Sequence, residues 1–165
     1  MSKTEEYLKE AFAGESQANR KYLAFAAKAD QEGYAQVARL FRAAGEAETI
    51  HAHNHLRALN GIKSTRENLF EAIAGETHEF TKMYPEMIAA AKEEGHKVGE
   101  RSFSYANDVE KIHAQLYQSL LDSLGKSAES YPYYICPVCG MTAEKEAPDF
   151  CPVCGTKGSM FKRSD

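Results

Sequence analysis

A chain of 165 residues with 20 Lys and Arg against 24 Asp and Glu carries a formal charge of -4, far from the basic footprint of a nucleic-acid binder. Its hydrophobic content of 43% suffices for a globular core, and no run approaches the ~18 apolar residues of a membrane span. The opening MSKTEEYLKE lacks the charged-then-apolar profile of a signal peptide, so a cytoplasmic protein without membrane or nucleic-acid partners is the expectation.

From Thr4 to Leu124 the only proline is Pro85, and apolar residues recur at helical spacing. The first stripe runs Leu8, Ala11, Phe12, Glu15, Ala18, Tyr22, Phe25, Ala29 and stops near Glu32-Gly33, where a glycine suits a helix C-terminus. The second runs Val37, Phe41, Ala44, Glu48, His51, His55, Leu59 and ends at Asn60-Gly61. Ser64 then offers an N-cap, with Glu67 three residues on completing a capping box. A third stripe, Leu69, Ile73, Glu76, Phe80, Met83, Met87, Ala90, reaches Glu94-Gly95, and Pro85 inside it predicts a kink. The fourth, Phe103, Ala106, Glu110, His113, Tyr117, Leu120, Leu124, is closed by Gly125. Four long amphipathic helices imply a bundle.

The helical region repeats itself. AFAGES at 11–16 matches AIAGET at 72–77, an offset of 61, and the stretch from Glu32 matches that from Glu94, an offset of 62. The pairs Arg39/Arg101, Phe41/Phe103, Glu48/Glu110 and His51/His113 follow, so one helical hairpin is used twice in a pseudo-two-fold bundle.

All four cysteines lie after residue 135, in a C-terminal stretch of ~30 residues too short to hold a core unaided. Domains of 1–126 and 134–165 with a linker at 127–133 are expected. Cys136-Pro-Val-Cys139-Gly and Cys151-Pro-Val-Cys154-Gly place four thiolates for tetrahedral metal binding. A glycine after each pair allows the positive φ that turns N–H groups toward sulfur. Spacing leaves zinc and iron open. Zinc would make a structural ribbon and iron a one-electron carrier, and iron is favoured beside a redox-capable bundle.

Glu15, Glu48, His51, Glu76, Glu110 and His113 sit on or beside the apolar stripes, without a matching set of Lys or Arg. Buried carboxylates must be neutralised, and a multivalent cation is the simplest compensation. Residues three apart share a helix face, so each Glu-x-x-His presents carboxylate and imidazole to one point. One Glu from each of two helices plus a Glu-x-x-His from each of two others is the di-iron carboxylate constellation. Glu79, whose counterpart in the first hairpin is Ala18, can join as a fifth carboxylate or pair with Lys82 on the solvent side. His53, His78 and His96 read as surface residues, and His55 as packing or support for His51.

With AFAGESQANRKY, Glu48-Thr-Ile-His51, GETHEFTKMYP, Glu110-Lys-Ile-His113 and the paired Cys-x-x-Cys motifs, nearly the whole chain resembles the rubrerythrin family. The resemblance implies a mainly α fold, a ferritin-like four-helix bundle followed by a small rubredoxin-like domain. It implies that Glu48 and Glu110 bridge two non-haem irons, that Glu15 and Glu76 are terminal ligands, and that His113 binds the second iron. Glu79 and His51 would exchange on the first iron, and Cys136, Cys139, Cys151 and Cys154 would hold a further iron, or zinc in its place. Tyr22 and Tyr84 match tyrosines close to the family's site, though core packing would also account for them. The implied activity is reduction of hydrogen peroxide to water, with electrons from NAD(P)H arriving through a reductase or rubredoxin. The alternatives are a ferroxidase or iron-storage protein, and a metal-binding module with a zinc ribbon.

In a ferritin-like bundle the second and third helices run parallel, so their link must return along the bundle. Leu59 lies about 12 Å past His51 and Arg66 about 15 Å before Glu76. Six intervening residues at ~3.3 Å each fall short of the ~27 Å required. A homodimer that exchanges helix pairs is therefore expected, with an up-down-up-down hairpin bundle as the alternative.

Overall fold

The computed structural model describes residues 2–126 and 130–165; residues 127–129 of the expected linker lie outside those described. The helices are α1 (Lys3–Gln31), α2 (Ala35–Ala58), α3 (Thr65–His78), α4 (Tyr84–Glu93) and α5 (Lys97–Ser123), with a π-helical segment at Glu79–Met83 joining α3 to α4. Three short strands follow, β1 (Tyr133–Ile135), β2 (Thr142–Glu144) and β3 (Lys162–Ser164), with a 3-10 turn at Gly158–Met160. They form an antiparallel sheet in the order β2-β1-β3, with Tyr133 opposite both Glu144 and Ser164.

The chain divides into two compact units, residues 1–63 and 64–165. This is a different cut from the expected boundaries at 126 and 134, which follow composition rather than contact. In the first unit α1 packs along α2, and the residues it buries are small: Ala26, Ala29, Ala38, Gly45 and Ala52. Asn19 ties the two helices by donating from Nδ2 to the Gly45 carbonyl and the Thr49 hydroxyl, at 2.7 and 2.9 Å. Phe25, Val37, Leu40 and Ile50 remain exposed. In the second unit α3, the π segment and α4 pack on α5, whose buried residues are Val109, Ala114 and Leu121.

Local sequence signals determine the helix ends. Ser64 accepts from the Glu67 amide while the Glu67 carboxylate returns to the Ser64 amide, completing the expected capping box. Ser2 and Glu5 cap α1 in the same way. Gly33 and Gly95 turn the two hairpins at φ 83° and 69°, in keeping with the internal repeat.

The third helix is interrupted where Pro85 marked it. It takes in the π segment just before the proline, and Pro85 lies in the first turn of α4. The Tyr84 amide donates to the Glu79 carbonyl, five residues back. Proline has no N–H and its ring crowds a preceding carbonyl, so a wider turn ahead of it relieves both problems. The Thr81 hydroxyl donates to the Thr77 carbonyl, supplying a side-chain partner where the ladder changes pitch.

The cysteine segment is built from two matching loops. Gly140 N donates to Cys136 O at 3.0 Å and Gly155 N to Cys151 O at 2.9 Å, with φ of 84° and 76° at the two glycines. Gly158 has a different constraint: a Cβ there would overlap the Pro148 carbonyl oxygen. Gly158→Ala is expected to destabilise this segment by about 3 kcal/mol while leaving the helices intact. Thermal melts followed separately by helical circular dichroism and by thiolate–metal absorption would show this, and a coincident, unshifted pair of transitions would contradict it.

Candidate metal centre

Three clusters of ligand-type side chains form among the described residues: Glu15, Glu48 and His51; Glu76, Glu110 and His113; and the four cysteines. Within each, the ligand atoms lie within 4.8 Å of one another.

The first two clusters are repeat counterparts, one in each unit. In the first unit, His51 Nδ1 lies 2.8 Å from Glu48 Oε2 and 3.9 Å from Glu15 Oε1. In the second, His113 Nδ1 lies 2.8 Å from Glu110 Oε2 and 4.0 Å from Glu76 Oε1. Three-residue spacing on α2 and α5 creates the Glu–His pairs, and helix pairing supplies the second carboxylate. The His113 side chain is 26% exposed against 54% for His51, so the second cluster is the more enclosed.

Crowding of negative charge has a direct consequence there. Burial, the side chain and charge of Glu110, and the charge of Glu79 together push the Glu76 carboxyl up to about 7. The Glu79 carboxyl is raised by burial and then by Glu110, so it stands near the cluster, although it is not one of the three mutually close ligands. Crowded carboxylates, one of them raised to about 7 in the absence of a cation, are a donor set suited to a multivalent one.

The pH dependence has a definite sign. A carboxyl whose folded value lies above its ordinary 4.5 favours folding fully below pH 4.5, and that contribution is lost as pH rises through about 7. Metal-free protein is therefore expected to lose melting temperature between pH 4.5 and 7, and Glu76→Gln to flatten the dependence. Parallel curves for the two proteins would contradict the assignment.

Among the other expected residues, Tyr84 stands against this cluster. Its hydroxyl is raised by burial and by the charges of Glu79, Glu110 and Glu76. Tyr22 packs with Phe25 and Phe41, its ring centroid 6.4 and 6.0 Å from theirs. His96 caps α5 by accepting from the Gly99 amide at 3.0 Å. Sequence reasoning gave no site role to two residues that border the second cluster. Tyr117 is raised by burial, Glu76 and Glu110, and its place four residues after His113 on one helix face was the available signal. Thr142 Oγ1 lies 3.0 Å from His113 Nε2. The π segment did have a sequence signal: the repeat offset grows from 61 to 62 between Thr77 and Glu94, a one-residue insertion within one helix.

The four cysteines are free thiols, with Sγ–Sγ distances of 3.5 Å for Cys136–Cys154 and for Cys139–Cys151. A tetrahedron with ~2.3 Å metal–sulfur bonds has edges of about 3.8 Å, so the sulfurs are close to the spacing a single ion needs. Burial raises the Cys139 and Cys151 thiols. Burial also opposes ionisation of Cys154, but the Thr156 hydroxyl and amide, with neighbouring thiols, outweigh it and bring that group down to about 6. The Met141 and Thr156 amides, each following a loop glycine, serve Cys139 and Cys154.

Comparison with known proteins agrees with this layout. A family model described as Rubrerythrin matches residues 6–121, and one described as Rubrerythrin, rubredoxin-like domain, matches residues 134–162. The chain is 38% identical to Rubrerythrin-2 of Clostridium acetobutylicum, over 96% of this chain and 95% of that one. It is 34% identical to Nigerythrin of Nitratidesulfovibrio vulgaris, over 83% and 74%. Solved structures of nigerythrin, in mixed-valence and in fully reduced, all-ferrous states, match 99% of this chain and 88% of theirs with a TM-score of 0.60 and 32% identity. The mainly α fold, a carboxylate–histidine site of di-iron type and a four-cysteine knuckle of rubredoxin type are thus shared features. On the combined reach of the two family models, this chain belongs to the rubrerythrin family.

Proposed function

We propose that the chain is a non-haem di-iron peroxidase that reduces hydrogen peroxide to water, with electrons from NAD(P)H reaching it through a reductase or rubredoxin. The reaction balances as one peroxide, two electrons and two protons giving two waters. The observation that carries the reading is the link between clusters of two chemistries: His113, beside Glu76 and Glu110, is bonded to Thr142, three residues past Cys139. Iron storage needs no such thiolate partner. The all-ferrous and mixed-valence states of nigerythrin support iron as the metal.

When bound, two irons at the carboxylates supply the two electrons that cleave the O–O bond, and one held by the thiolates replaces them singly. By family resemblance Glu48 and Glu110 would be the shared ligands, Glu15 and Glu76 the terminal ones, and His113 would hold the second iron. Glu79 and His51 would exchange on the first. Tyr84 and Tyr22 would border the reacting oxygens, Tyr84 from its place beside Glu79. Glu76, which retains its proton up to about pH 7 without metal, must release it for binding, so metal affinity rises with pH across that range.

A homodimer with exchanged helix pairs is part of this reading. Of the seven expected di-iron ligands the first compact unit carries three and the second four, and only residues 59–64 join α2 to α3. The exposed Phe25, Val37, Leu40 and Ile50 give the first unit an apolar surface for a second chain to cover. No helix among the described residues is long and apolar enough to cross a membrane. A four-thiolate site requires a reducing compartment, and the reading places the protein in the cytoplasm.

Anaerobic mixing of the reduced, iron-loaded protein with peroxide tests the proposal. Rapid oxidation of the di-iron site, followed by return of the red colour of a ferric tetrathiolate, is expected. No reoxidation would remove the peroxidase reading, and a colourless knuckle containing zinc would leave a structural ribbon.

A further inference from the structure

The two carboxylate–histidine clusters are twins at Nδ1 but not at Nε2. His51 Nε2 has no hydrogen-bond partner among the described residues, whereas His113 Nε2 meets Thr142 Oγ1 at 3.0 Å. Thr142 is the first residue of β2, directly after the first cysteine loop, and sits opposite Ile135 of β1. Its hydroxyl also donates to the Gly140 carbonyl at 3.2 Å. A threonine has one hydroxyl proton, so with that proton on Gly140 its oxygen can only accept from His113. Nε2 then carries hydrogen, and Nδ1, which faces Glu110 Oε2 at 2.8 Å and Glu76 Oε1 at 4.0 Å, is the nitrogen that a metal among the carboxylates would take in place of those contacts.

The loop is also held to α5 one turn earlier, where a Cβ on Gly140 would lie 4.0 Å from Val109 Cγ1, and Val109 is 2% exposed. Leu116, Tyr117, Leu120 and Tyr133 join His113 and Thr142 around a cleft of about 330 Å³, placing the bond beside largely apolar walls. A hydrogen bond in such surroundings is electrostatically stronger than one in open water.

We propose that Thr142 is a positioning residue that fixes the His113 ring with Nε2–H on Oγ1 and Nδ1 toward Glu76 and Glu110, so that closing the cysteine knuckle and binding metal at the carboxylates are coupled. The proposal rests on the di-metal reading above and goes beyond it. Filling the four thiolates orders the Cys136–Cys139 loop, and with it Gly140 and Thr142. The ordered Thr142 then holds the imidazole ready. By linkage the coupling is reciprocal.

The test uses the full chain with Cd²⁺ in the thiolate site and Co²⁺ as probe at the carboxylates, alongside ring ¹⁵N spectra of His113. Removing a hydrogen bond to a ligand histidine typically costs 10- to 100-fold in affinity. Thr142→Val, which keeps shape and loses the hydroxyl, is expected to weaken Co²⁺ binding roughly 10-fold, to erase the tightening that Cd²⁺ produces in the parent, and to leave Cd²⁺ stoichiometry unchanged. It should also remove the preference for the Nε2–H tautomer, and Thr142→Ser should restore all three readouts. Thr142→Val behaving as the parent, or Thr142→Ser failing like Thr142→Val, would overturn the coupling alone. Absence of any Co²⁺ binding by the parent chain would bring down the metal reading and the coupling with it.

Discussion

Two metal-deficient variants, Glu48→Ala and Glu110→Ala, are expected to regain about a quarter of the parent's di-metal sites when unfolded and refolded together. Glu48 is on α2 in the first compact unit and Glu110 on α5 in the second. If helix pairs are exchanged, one site of a mixed dimer combines both damaged units and the other combines both intact ones. Random reassortment makes about half of the dimers mixed, each with one good site of two, which gives the quarter. If every site lies within one chain, mixing restores nothing. The substitutions are mild for the fold, because Glu110 is one of the charges that raise Glu76 and Glu79, and its removal relieves repulsion. Metal stoichiometry and peroxide consumption of the mixture, compared with each variant alone, give the answer. No gain above the separate variants would overturn helix exchange.

The double replacement Cys136→Ser and Cys151→Ser is expected to leave a di-iron site that reacts once and cannot be reloaded. It removes one sulfur from each of the two 3.5 Å pairs, so no four-sulfur site survives. Both cysteines are nearly inaccessible, at 1% and 3% exposure, so the C-terminal segment loses both its metal and its small core. The helices should persist, since the caps at Ser2, Ser64 and His96 are local. Pre-reduced variant should consume about one peroxide per di-iron site. Steady turnover with reductase and NAD(P)H should fall by on the order of 100-fold, about 2.7 kcal/mol in effective barrier. Undiminished turnover would show that electrons enter by another route.

Much of this could be read from spacing. Glu48 and His51, like Glu110 and His113, meet because residues three apart share a helix face in any surroundings. The Ser64–Glu67 box and the loop glycines Gly140 and Gly155 follow the same local logic. Pro85 was legible as a disturbance but not as a π segment, because proline alone does not dictate how the ladder before it adjusts. The extra residue between Thr77 and Glu94 points to a widened turn, and it is visible only when the two hairpins are aligned.

By itself, then, the sequence determined the helical hairpins and their ends, the paired Glu-x-x-His faces, the four-thiolate knuckle and the family. These depend on backbone periodicity and on donor chemistry over a few residues. The structure alone decided that the second cluster is more enclosed than the first, that the knuckle belongs to the compact unit containing α3 to α5, and that Thr142 meets His113 across 29 residues of chain. Such pairings depend on how one finished element docks on another. Docking is determined by packing over whole faces, here Val109 against Gly140, and no local spacing encodes it.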